Sequence, residues 1–135
     1  MRVVFDTNIL VSFAIRPNTN FQRIFDYVAE HGVSLVSDET IGELLNVLSR
    51  NKFRRYIPLD QSLEYVARYA AISEHTSIVD QVVACRDPDD DKFLSLAVAG
   101  GANCIIAGDQ HLVEMMEFRS IPIYRPAEFA RLFVR

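Results

Sequence analysis

Residues 87–112 read DPDDDKFLSLAVAGGANCIIAGDQHL, and they hold one complete cap-helix-strand unit. Asp87 followed by Pro88 is an N-cap with proline at the first helical position. It opens a helix that runs through FLSLAVA to the glycines at 100 and 101. The apolar run NCIIA then reads as a buried strand, which delivers Asp109 beyond one intervening glycine.

The same alternation extends outward. RVVF at residues 2–5, VSLVS at 33–37, the stretch from TSIV to VVAC at 76–85, and IPIY at 121–124 are further β-branched runs that read as strands. Each run except the last is followed by helical signals. From Thr19 to His31, Phe21, Ile24, Phe25 and Val28 recur at helical spacing and stop at Gly32. Ser37 caps the next helix, whose apolar stripe is Ile41, Leu44, Leu45 and Leu48. A third helix, from about Asp60 to Ser73, shows Leu63, Val66, Ala67 and Ala70. Repeated strand-helix units predict an α/β fold class: a three-layer α/β/α sandwich with a central, mostly parallel sheet. Residues 1–135 read as one domain, with ligands gathering beyond the carboxyl ends of the strands.

The 135 residues are 50% hydrophobic and 24% charged, without Trp or low-complexity tracts, as in an ordinary globular domain. A net charge of -4 argues against a protein that coats nucleic acid by charge alone. It leaves room for an enzyme whose metal ions reverse the sign of an acidic pocket. Cys85 and Cys104 lie in apolar runs without CxxC spacing and read as reduced core residues. With no charged-then-apolar leader and no long uncharged apolar stretch, the expected location is cytoplasmic, with no membrane partner.

The carboxylates carry the chemistry. Asp6 follows VVF directly and Asp109 follows IIAG, so both are expected at one sheet edge. Asp89, Asp90 and Asp91 lie in the first turn of a helix that a crossover starts at the same edge. Singly, these residues also fit turn and helix-dipole roles. Glu43 points roughly opposite its helix's apolar stripe, and periodicity alone makes it solvent-exposed. Clustered carboxylates repel, and one of them would bind a proton unless a divalent cation intervened. Hard cations such as magnesium accept such oxygens, activate water and neutralise charge on phosphate oxygens.

In VVFDTNILVS, SDETIGELLNVLSRNKF and DPDDDKFLSLAVAGGANCIIAGDQHL, taken in this order, the chain resembles PIN-domain nucleases, in particular the VapC-like toxins of toxin-antitoxin systems. The resemblance spans nearly the whole chain. It implies a parallel sheet sandwiched by helices and a metal-dependent endoribonuclease using Mg2+ or Mn2+. Asp6, Glu43, Asp90 and Asp109 are then the metal-binding and catalytic set, with Asp91 an extra carboxylate that assists or replaces Asp90 and Asn8 a substrate or outer contact. It also implies an RNA substrate, an antitoxin protein partner and a homodimer. Two positions depart from the pattern: Ala107 where many relatives carry Thr or Ser, and His111 where some carry another Asp.

Other signals are weaker. His31, His75 and His111 lack zinc-ligand spacing, and no GxGxxG or GxxxxGK[ST] occurs. Lys52, Arg54 and Arg55, interleaved with Phe53 and Tyr56, could grip an RNA backbone and stack a base; a solvated loop or a partner face fits them equally. The rival readings are a phosphoryl-handling α/β domain of the phosphatase or receiver type and a non-catalytic binding module. The phosphatase would need Asp-x-Asp where the chain has Asp6-Thr7-Asn8.

Overall fold

Six strands, β1 (Arg2–Phe5), β2 (Val33–Val36), β3 (Glu74–His75), β4 (Cys104–Ile106), β5 (Glu117–Phe118) and β6 (Ile121–Tyr124), form a sheet in the order β3-β2-β1-β4-β6-β5 in the computed structural model. The structure describes residues 1–85 and 87–134. Every pairing is parallel except β5 with β6. Because both faces are covered there, the four inner strands β2, β1, β4 and β6 are mainly apolar runs rather than alternating ones, whereas the edge strands β3 and β5 are short and more exposed.

Successive residues of β1 serve opposite faces. Val3 and Phe5 pack with Ile9 and Leu10 of α1 (Thr7–Ile15), Ile24 and Val28 of α2 (Thr19–His31), Leu44 and Leu48 of α3 (Asp38–Leu48), Val66 and Tyr69 of α4 (Leu59–Ile72), and Phe129 of α7 (Pro126–Phe133). Val4, with Leu35, Ile105 and Ile123, packs on the other side against Phe93, Leu94 and Leu96 of α5 (Asp91–Gly100) and Leu112 of α6 (Gln110–Val113). The expected three-layer α/β/α architecture is what the chain adopts.

Local chemistry sets the helix ends. Ser37 and Thr40 form a capping box at the start of α3, with Thr40 N–H donating to Ser37 Oγ at 3.2 Å and Ser37 N–H to Thr40 Oγ1 at 3.0 Å. Gly101 ends α5 in the left-handed region, at φ 63°. Gly32 ends α2 for a different reason. Its backbone is extended, but a Cβ there would lie 1.6 Å from the Met1 carbonyl oxygen, which accepts the Val33 N–H at 2.8 Å.

Several sequence expectations change in the fold. Residues 76–85 are not a strand, since only Glu74 and His75 pair with β2. The N–H groups of Val82, Ala84 and Cys85 instead donate to the side chains of Ser95 and Asp91 on α5. Cys85 therefore sits half-buried in an irregular strip, while Cys104 is buried in β4; both are free thiols. The helix opened by Asp87 begins as a 3-10 turn over Pro88–Asp90 before α5. On α4 the buried positions are Ser62, Val66 and Tyr69, and Leu63 faces solvent. IPIY is followed by α7, and it pairs with β5 through a two-residue turn, Arg119 and Ser120, at φ 48° and 67°. Among the described residues no helix is long and apolar enough to cross a membrane.

Candidate active site

The chain leaves β1 for β2 on one side and returns to β4 on the other, so the order reverses between β1 and β4. In open α/β sheets the crevice at such a point is where ligands bind. Asp6 follows β1, and its N–H donates to the Ile106 carbonyl at 3.0 Å. Its Oδ1 accepts the Ile9 N–H at 3.0 Å, capping α1, and its Oδ2 accepts the N–H groups of Gly108 at 3.0 Å and Asp109 at 3.1 Å. The carboxylate is 2% exposed. Burial pushes its pKa up to about 6 against the opposing pull of those N–H donors, and the charge of Asp109 adds to the rise.

Asp109 caps α6, accepting the His111 N–H at 2.8 Å and the Leu112 N–H at 3.4 Å. Asp90 ends the 3-10 turn and is 8% exposed; its Oδ2 is buried with no hydrogen-bond partner among the described residues. Burial first, then the Asp109 carboxylate through its charge and a side-chain hydrogen bond, then the charges of Asp87 and Asp6, raise the Asp90 pKa to about 7. The three aspartates thus share one electrostatic environment.

Glu43 lies on the polar side of α3, where Glu39 and Asn46 stay exposed, but Glu43 itself is partly buried, so the periodicity reading of an exposed side chain does not hold. Thr7 Oγ1 donates to Glu43 Oε2, and Lys92 Nζ stands 2.8 Å from Oε1. Neither Thr7 nor Lys92 stood out by spacing. Thr7 is buried behind Asp6, and Lys92 follows the Asp89–Asp91 run.

Asp91 is occupied elsewhere. Its Oδ1 accepts the N–H groups of Ala84 at 3.0 Å and Cys85 at 2.6 Å. Burial pushes its pKa up, and those donors outweigh it, leaving the carboxyl below its usual value. Asp89 is exposed, and Asn8 is exposed one residue after Thr7. Arg54 turns inward, donating from Nη2 to the Leu48 carbonyl, whereas Lys52 and Arg55 remain exposed beside Phe53 and Tyr56.

Among the described residues, no three His, Cys, Asp or Glu side chains converge as a ready-made cage for an ion. Magnesium does not require one, since it keeps several waters and is held by one or two carboxylates plus substrate phosphate. A buried carboxylate oxygen on Asp90 with no partner among the described residues, beside carboxylates whose like charges repel it, is a donor set that fits such an ion.

The fold is similar to that of VapBC2 from Rickettsia felis, solved with a DNA fragment from its promoter. The TM-score is 0.70 at 13% identity, covering 93% of this chain and 98% of that one. DNA-bound VapBC from Salmonella typhimurium gives 0.65 at 15% identity, with 93% and 98% covered. VapC20 from Mycobacterium tuberculosis, a sarcin-ricin loop cleaving toxin, gives 0.55 at 12% identity, with 89% and 98% covered. At these identities the likeness is one of fold. An uncharacterized protein of Methanocaldococcus jannaschii is 29% identical over 119 residues, which is 87% of this chain and 76% of that protein. The PIN domain family model matches residues 2–111, and the chain belongs to the PIN domain family.

Proposed function

We propose that this chain is a magnesium- or manganese-dependent endoribonuclease and the toxin of a toxin-antitoxin pair. The observation that carries the reading is the buried Asp90 Oδ2, without a hydrogen-bond partner among the described residues, at the β1/β4 crevice beside Asp109 and within the electrostatic reach of Asp6. A buried polar atom without a partner costs free energy comparable to a lost hydrogen bond, and a cation removes that cost. Membership of the PIN family supports the reading, as do the VapBC and VapC folds, one of them a sarcin-ricin loop cleaving toxin.

Asp90 and Asp109 would hold the ion, with Asp6 adding negative charge from behind. A divalent ion there supplies activation of water and neutralises charge developing on the phosphate oxygens. The chain's own groups do the rest. Asp6, anchored by three N–H donors, fixes the Gly108–Asp109 segment and so orients Asp109. Glu43, held by Thr7 and Lys92, completes the acidic set through this linkage. Asn8, exposed at the mouth, contacts substrate. The Asp6 oxygens are all engaged by backbone donors, so the residue is ill-suited to the nucleophile role that a phosphatase or receiver would require.

By the same reading the partners are RNA, an antitoxin and a second copy of the chain. The test incubates purified protein with mixed-sequence labelled RNA in magnesium, manganese or EDTA, beside an Asp6→Ala/Asp90→Ala control. EDTA-sensitive cleavage absent from the control is the expected result. Folded protein free of any co-purified partner that cleaves nothing under either metal would point to a non-catalytic binding module instead.

A further inference from the structure

We propose that the cleft between the end of α1, the start of α2 and residues 52–56 is a second RNA contact, a seat for one unstacked base and its flanking phosphates on the strand that enters the acidic crevice. The inference rests on the ribonuclease reading for its substrate, but not for its geometry. The cleft has a volume of about 580 Å3, and among its lining residues Arg16, Lys52 and Arg55 are cationic while none is acidic. That is a local reversal of sign in a chain of net charge -4.

The aromatic component is equally specific. The Arg16 guanidinium lies 5.4 Å from the Tyr56 ring centroid and that of Arg55 lies 5.3 Å from it, while Lys52 Nζ lies 5.1 Å from the Phe53 centroid. Tyr56 is 42% exposed, so the ring is reachable from solvent. Cations around a partly exposed aromatic ring suit single-stranded nucleic acid: the charges meet phosphate, and a base stacks on the ring's exposed part or on a guanidinium plane held over it. Asn18, at the cleft wall, caps α2 by accepting the Phe21 N–H at 2.9 Å, so the positive end of a 13-residue helix adds to the cationic field.

Two helices tie this cleft to the acidic crevice. α1 is capped by Asp6 and ends at Ile15 in the cleft wall, and α3 carries Glu43 before the chain turns into Lys52 and Arg55. Nine helical residues span roughly 14 Å, about four nucleotides of a stacked strand. A duplex offers no unstacked base to Tyr56, so the cleft selects single-stranded RNA.

The test measures binding of the 135-residue chain to labelled single-stranded and duplex RNA in EDTA, where no cleavage occurs, so the outcome is independent of catalysis. Arg16→Gln/Lys52→Gln/Arg55→Gln should lower the slope of log affinity against log salt by about 2 for single strands. Tyr56→Ala should weaken single-strand binding about tenfold, and Tyr56→Phe, which keeps the ring, should restore it. Thermal melts confirm that each variant is folded. Unchanged affinity and slope in the charge variant would overturn the proposal and leave the cleft to a protein partner. Duplex bound as tightly as single strand, with Tyr56→Ala neutral, would overturn the base seat. Absence of cleavage in the earlier assay, with these binding losses present, would sink the catalytic reading and not this one.

Discussion

The Asp109 N–H donates to Asp6 Oδ2 at 3.1 Å, so the residue whose carboxylate faces Asp90 is positioned by the carboxylate of Asp6. Asp6 and Asp90 are therefore opposites in energetic character: both Asp6 oxygens accept backbone N–H groups, whereas Asp90 Oδ2 has no partner among the described residues. Asp6→Ala would strand three N–H donors and remove the α1 cap, lowering stability by about 1–3 kcal/mol. Asp90→Asn should raise the melting temperature of metal-free protein at pH 8, because it removes a buried charge. Urea and thermal melts at that pH check both; a stabilised Asp6→Ala protein would contradict the clamp.

The pH dependence of the metal-free protein has a defined sign. Asp6 and Asp90 titrate in the folded chain at about 6 and about 7, above their ordinary value of 3.8. The native state thus binds more protons than the unfolded state between about pH 4 and 7, and stability should rise as pH falls through that window. The contribution is fully present below the unfolded value and is lost as pH rises through 6 and 7. Melts between pH 8 and 5 in EDTA should show this rise, and Asp90→Asn should flatten its upper part.

Magnesium or manganese should reverse the effect. An ion bound only by the native state stabilises by about 2.7 kcal/mol at a hundredfold excess over its Kd. The gain in melting temperature should be largest near pH 8, shrink toward pH 5 as the aspartates protonate, and vanish in Asp90→Asn. Equal gains in wild type and variant would place the ion elsewhere.

Lys92 is the counter-charge of Glu43 in a half-buried pair whose other oxygen is occupied by Thr7. Lys92→Gln leaves that carboxylate without its cation and should cost on the order of 1 kcal/mol, while Lys92→Gln/Glu43→Gln recovers most of it. A double-mutant cycle by denaturant melts reads the coupling. Additive losses would show that the pair does not act as a unit.

Asp91→Ala should release the strip around residues 82–85 without touching Asp90, because two N–H donors lose their acceptor. Hydrogen exchange at Ala84 and Cys85 should quicken markedly, with a stability loss of about 1–3 kcal/mol. Loss of metal-induced stabilisation in this variant, despite an intact fold, would show that Asp91 serves the ion as well.

The local code of the chain was sufficient for most of the architecture. Alternating apolar runs, the Ser37 cap, Pro88 after Asp87 and the glycines at 32 and 101 depend on near neighbours, and they determined the parallel sheet, its helices and the arrival of Asp6 and Asp109 at one edge. The hairpin of β5 and β6 escaped because its turn is Arg119-Ser120, without the Asn-Gly signature that such dihedrals favour. Residues 76–85 carried strand-like composition, yet α5 side chains took the N–H groups that a strand would have used. Glu43 shows the same limit. Helical periodicity counts apolar neighbours within one helix, while the partial burial of Glu43 comes with its contacts to Thr7 and Lys92, 36 and 49 residues away. The surroundings of the three adjacent aspartates were likewise decided only in space: Asp89 faces solvent, Asp91 accepts from backbone N–H groups, and Asp90 has a buried oxygen with no partner among the described residues. Which partner each carboxylate meets is a property of the packed crossover, not of its place in the run.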